Sequence, residues 1–259
     1  MTTDTRTIAV EAPTRTETIT RFDIHQRIQH IGLALSFIVL VLTGLPLKFS
    51  DAGISQWWVA LWGGVEVTRF AHRVGAWVIV MVSLYHIAYL IVNVAILKKP
   101  FPVRMLPSLK DIQDFVLDFA YTFGVRKDKP RYDRYDWRQK FDYWAIFWGM
   151  PVMAGSGFVL MFPVFMTKFM PGWIVPAALV AHSDEAMLAL TWIFVVHIFF
   201  SHFAPGCFPA NTSIFTGRVT KEKYKKEHPI EYARITGEKE AQEDHQAADI
   251  PAVTGDGAQ

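Results

Sequence analysis

Four stretches of this chain are apolar, nearly free of charge and long enough to cross a lipid bilayer, and they leave few folds open. The first runs from about Ile31 to Leu47 and the second from Val74 to Leu97. The third runs from Tyr143 to Thr167 and the fourth from near Ser183 to about Phe203. A spanning helix needs about 20 apolar residues for a hydrocarbon core roughly 30 Å thick. Inside lipid only helices and closed barrels satisfy their own backbone. Surrounding four such helices within a water-soluble domain would take a longer chain than 259 residues. The expectation is an all-α integral membrane four-helix bundle.

Lysine and arginine set its orientation. Four lie between Arg6 and Arg27, eleven between Lys98 and Lys140, and seven from Arg218 onward. The two other loops share Lys48, Arg69, Arg73 and Lys168. Basic residues stay on the cytoplasmic side. Both termini and the middle loop are therefore expected inside a bacterial-type inner membrane, crossed up, down, up and down. Residues 1–26, which lack an apolar core of signal-peptide length, read as a flexible arm. Residues 27–217 form the membrane domain, with the loop 98–140 included. Residues 218–259 form a tail, basic at first, then acidic, alanine-rich and disordered after Gly237. In the loop, Ile112, Phe115, Val116 and Phe119 recur at helical spacing against Lys110, Asp111, Asp114 and Asp118. That pattern predicts an amphipathic helix lying on the membrane surface or on a partner. The proline-rich segment KFMPGWIVPAAL is expected to cap the outer face. A net charge of +2 with no basic stripe gives nucleic acid no footprint.

The histidines stand at matched depths. His182 and His197 are fifteen residues apart, roughly four turns, so both project from nearly one face at levels about 22 Å apart. His72 and His86, fourteen apart, repeat the arrangement one hairpin earlier. Ionisable residues inside membranes are rare and usually functional. Paired neutral imidazoles are the axial ligands of b-type haem. The lone cysteine, Cys207, excludes an internal disulfide and covalent haem attachment. Two bis-histidine haem b groups stacked across the membrane are the reading. Parallel second and fourth helices put His72 opposite His182 on the outer side. Three histidines compete on the inner side: spacing favours His86 with His197, while His30 at the mouth of the first helix reaches the same depth. His25 lies five residues before His30, roughly 140° around a helix, so the two cannot clamp one metal. His202 stands likewise to His197. Interfacial hydrogen bonding is the expectation for both, although the spare histidines leave room for a third haem. Gly32, Gly75, Gly155 and Gly157 supply small residues for packing a macrocycle. Arg69 and Arg73 flank His72, either as propionate partners or as markers of a helix end.

In these residues the chain resembles the b-type cytochrome subunits of formate dehydrogenases and nickel–iron hydrogenases, and related thiosulfate-reductase-like anchors. The resemblance spans about Arg21 to Arg234. It rests on Arg27-x-x-His30 opening the first helix, Leu42–Thr43–Gly44 ending it, and His72 entering the second. Gln139–Lys140 before the third helix, the two histidines of the fourth and the basic GRVTKEKYKKEHP tail complete it. In the formate dehydrogenase type this implies an outer haem between the matches of His72 and His182. It implies an inner haem between the matches of His30 and His197, with a quinone beside it near Asp136, Gln139 and Lys140. Asp136 or Asp142 would relay the protons of quinone reduction. The chain departs from that type in that the histidines of the fourth helix are fifteen residues apart, not fourteen. The positions of His86, His25 and His202 carry no ligand there, which leaves His86 to bond a propionate or line the quinone pocket. The implied function is an anchor and electron conduit of a hetero-oligomeric respiratory complex. Its redox partner, an iron–sulfur protein or multihaem cytochrome c, would dock nearest the outer haem. The rivals are a self-sufficient transmembrane haem reductase for external acceptors and a haem-free transporter whose histidines relay protons.

Overall fold

The computed structural model describes residues 17–204, 207–208 and 210–237. A short strand, β1 (Thr18–Thr20), leads into α1 (Ile24–Lys48). A reciprocal cap opens this helix: Asp23 accepts the Gln26 N–H at 2.9 Å, and the Gln26 side chain accepts the Asp23 N–H at 3.1 Å. Next come α2 (Gly53–Leu61) and α3 (Val65–Ile91), the latter extended by a π-helical turn over Val92–Ile96. The long loop carries α4 (Leu109–Thr122), and α5 (Trp137–Met161) and the single turn α6 (Pro163–Met166) follow. The last long helix, α7 (Ile174–Trp192), runs on as a π-helix through Ile193–Phe203. The chain then forms α8 (Ser213–Thr216), β2 (Arg218–Thr220), α9 (Lys221–Glu227) and α10 (Pro229–Thr236).

Four of these runs are long and apolar enough to cross a membrane: Ile24–Lys48, Val65–Ile96, Trp137–Met161 and Ile174–Phe203. All four start well before the apolar blocks do, because helix continues into the polar interface. The segment expected to cap the outer face is a case in point. From Ile174 onward it belongs to α7, with Pro176 in the first turn, where its missing N–H has no intrahelical partner to lose. The four spans form two hairpins, α1 packed along α3 and α5 along α7, with only slight backbone contact between α3 and α5.

The amphipathic helix of the loop is α4, and its polarity faces inward. Asp114 and Asp118 are buried while Leu109, Ile112 and Val116 are exposed. Asp118 is bonded by Arg138 and by Trp137 Nε1, Asp114 by Lys110 at 2.6 Å, and Asp111 by Lys140 at 2.8 Å. The carboxylates dock α4 on the foot of α5 and leave its apolar side outward, as an interfacial helix requires.

At the same end β1 and β2 pair antiparallel, Ile19 opposite Val219. Ile19, Val219, Tyr224 and Tyr232 make a small core under them. Arg21 binds this cap to the membrane domain, donating to Tyr224 Oη at 3.2 Å and to Gln139 Oε1 at 3.0 Å. Glu231, almost fully buried, gathers Arg104, Arg134 and Arg234. The division at residues 26 and 218 expected from sequence therefore separates segments that fold together, since Thr18–Thr20 and Arg218–Thr220 share one sheet. The arm at 1–16 and the tail beyond Gly237 lie outside the described residues.

Candidate functional site

Each level of the bundle holds a pair of histidines facing across the two hairpins. His72 of α3 faces His182 of α7 with ring centroids 6.2 Å apart and planes at 69°. His30 of α1 faces His197 on the π-helical end of α7, at 6.1 Å and 32°.

At the outer level both imidazoles are held the same way. Thr43 spends its one hydroxyl proton on the Val39 carbonyl at 2.7 Å, so its oxygen meets His72 Nδ1, 2.9 Å away, as an acceptor. Ser156 repeats this from α5, donating to the Val152 carbonyl at 2.5 Å and lying 3.0 Å from His182 Nδ1. Both Nδ1 atoms therefore carry the proton, and both Nε2 atoms keep a free lone pair. The next residue in each helix is a glycine. A Cβ on Gly44 would stand 3.1 Å from His72 Cε1, and one on Gly157 would stand 3.2 Å from His182 Cε1. Only glycine lets the rings seat against these helices without displacement.

The inner pair is held differently. His197 Nδ1 donates to Asp142 Oδ2 at 2.7 Å, and Trp192 Nε1 donates to the other carboxylate oxygen at 2.6 Å. His30 Nδ1 is buried with no hydrogen-bond partner. His86 belongs to neither pair. Its Nδ1 is 2.8 Å from Gln29 Oε1 and its Nε2 is 3.1 Å from Tyr143 Oη, so both ring nitrogens are engaged. His25 bonds Tyr85 Oη at 2.6 Å through Nδ1. His202 lies within the same π-helical run as His197. Arg69 pairs with Glu66 at 3.1 Å on the surface, and Arg73 is exposed.

Asp136, Gln139 and Lys140 stand together at the foot of α5, each with protein partners. Asp136 caps the helix by accepting the Gln139 N–H at 2.9 Å and pairs with Arg138. Gln139 accepts from Arg21, and Lys140 pairs with Asp111. Of the glycines singled out for packing, Gly32 lies against Val82 and Gly75 against Val39 and Leu40, where α1 and α3 touch. Gly157 alone among them backs a histidine.

The paired histidines fit a b-type haem. Two metal–nitrogen bonds of about 2 Å plus the ring radii span roughly 6 Å, the separation at both levels. Among the described residues no three His, Cys, Asp or Glu side chains come together as a metal cluster; each level brings two facing imidazoles. Thr43, Ser156 and Asp142 as imidazole acceptors went unread in the sequence. For the first two, a hydroxyl followed by glycine in both the first and third spans was the available signal.

Comparison with known proteins agrees with this chemistry. The model of a family described as prokaryotic cytochrome b561 matches residues 21–207. The formate dehydrogenase cytochrome b556(fdo) subunit of Escherichia coli K12 is 27% identical over 232 residues, covering 88% of this chain and 99% of that protein. The same-named subunits of Escherichia coli O6:H1 and O157:H7 match to the same extent. With four membrane-capable helices, histidines that fit haem b and a family match over most of its length, the chain belongs to the prokaryotic cytochrome b561 family.

Proposed function

We propose that this chain is the membrane-anchoring di-haem cytochrome b subunit of a respiratory oxidoreductase. It carries electrons between a redox partner subunit and the quinone pool of a bacterial-type inner membrane. The two facing histidine pairs at two depths carry this reading. His72 and His182 hold the outer haem; His30 and His197 hold the inner one. Bound there, the two haems supply one-electron chemistry at both sides of the membrane. The chain's part is to present four imidazoles with free Nε2 atoms and to keep the rings from turning. The engagement of both nitrogens of His86 supports His30 as the inner ligand and leaves His86 a supporting role beside it.

The quinone headgroup binds at the inner level, against the foot of α5. With its carbonyl oxygen held by Arg21, Gln139 has its amide N–H groups to offer a quinone carbonyl. Lys140 adds a positive charge nearby, and Asp136 is the carboxylate placed to pass protons from the cytoplasm. Asp142, bonded to His197 and Trp192, serves the ligand instead. On the outer side, α2 exposes Ile54, Trp57 and Leu61, and the turn after α6 exposes Phe169 and Trp173. This apolar rim suits a docked redox partner, an iron–sulfur protein or a multihaem cytochrome c.

Haem counting by pyridine haemochrome on His182→Ala and His197→Ala tests the ligand assignment. Each variant is expected to lose one of two haems and keep the other. Full haem content in either would remove that histidine from the ligand set.

A further inference from the structure

The two levels are not supported alike. His72 and His182 each give their Nδ1 proton to a neutral hydroxyl whose own proton is already committed to a backbone carbonyl. His197 gives its Nδ1 proton to a carboxylate at 2.7 Å, and the His30 Nδ1 has no partner. We propose that Asp142 is a positioning residue that makes the inner level the more electron-rich, setting its reduction potential below that of the outer level, where Thr43 and Ser156 leave the imidazoles nearly neutral. The inference rests on His30 and His197 being ligands.

The physical reason is the charge on the acceptor. A carboxylate pulls the Nδ1 proton toward itself, gives the ring imidazolate character and strengthens donation from Nε2, which favours oxidised iron. A hydroxyl oxygen orients the ring as firmly but polarises it far less. Asp142 is held for this purpose from the far side. Trp192, one turn before His197, donates to its second oxygen at 2.6 Å, which fixes the carboxylate plane and draws off part of its charge. Asp142 and His197 are both largely shielded, with side-chain exposures of 20% and 28%, so solvent weakens the contact little.

Redox titration of the full-length, haem-loaded protein, followed by its visible bands, separates these contributions. Asp142→Asn should raise the lower midpoint and leave the upper one in place. Thr43→Val should move only the upper one. Trp192→Phe should drive the lower midpoint further down, because the freed carboxylate then acts on His197 with its full charge. If Asp142→Asn keeps both haems and the lower midpoint does not rise, the inference is wrong. If that variant sheds the inner haem, Trp192→Phe decides, and a lower midpoint that stays or rises overturns the proposal. His197→Ala keeps the two failures apart. Two haems retained there would refute the ligand reading, whereas one haem lost with Asp142→Asn unshifted would refute the tuning alone.

Discussion

A histidine is a haem ligand only if one ring nitrogen is free, and hydrogen bonds decide which one is. This sets His30 apart from His86, although spacing alone favours His86 as the partner of His197. His86 lies between Gln29 and Tyr143 with both nitrogens taken, while His30 points at His197. Losing an axial ligand removes low-spin coordination, whereas losing a supporting side chain tunes it. Electron paramagnetic resonance is expected to show the inner low-spin signal lost in His30→Ala and retained, with altered potential, in His86→Ala. The opposite pattern would transfer the ligand role to His86. Much of this level of detail was legible: the outer histidines, their shared face and their depth follow from a spacing of about 3.6 residues per turn. The residues behind the rings were not, since a threonine or serine in a membrane helix ordinarily bonds its own backbone. Thr43 and Ser156 do that and accept an imidazole proton as well.

Elements differ in how plainly the sequence announces them. Long apolar helices are unmistakable, but three-residue strands such as β1 and β2 carry no periodicity, so the joining of arm and tail surfaces only in three dimensions. The π-helical end of α7 was equally silent. It nevertheless sets the direction of His197, which lies on this run and faces His30. The cap built on β1 and β2 has its own pH dependence through His228. Burial, with Arg21 next and Arg134 also repelling the charge, pushes this imidazole down from 6.5 to about 3, against the attraction of Asp133. Unfolded, it takes up a proton below pH 6.5; folded, it does not until about pH 3. The cap is therefore fully stable above pH 6.5 and weakens as pH falls toward 3, by at most about 1.4 kcal/mol per pH unit. Limited proteolysis of the segment 218–237 should quicken between pH 6.5 and 5, and His228→Asn should flatten that profile. An identical profile in both proteins would clear His228 of the effect.

At the scale of the whole molecule burial is sparse: the membrane spans hide few of their own residues, and α1 with α3 faces α5 with α7 across the two histidine pairs. Packing of such hairpins comes from small residues and bridging groups, not from a hydrophobic core, because lipid is as apolar as leucine. Charge orients the assembly, with twenty-two basic residues on the side of the termini and long loop against four on the other. A periplasm-active reporter fused after Gly237 is expected to stay silent, and strong activity would exchange every inner and outer label. The central claim is that one chain holds two haems at two depths. The ratio of haem to protein in the purified full-length chain, read with its low-spin resonance spectrum, tests that most directly. The expected result is two haem b per chain and two distinct bis-histidine signals. A single haem with one signal would contradict it.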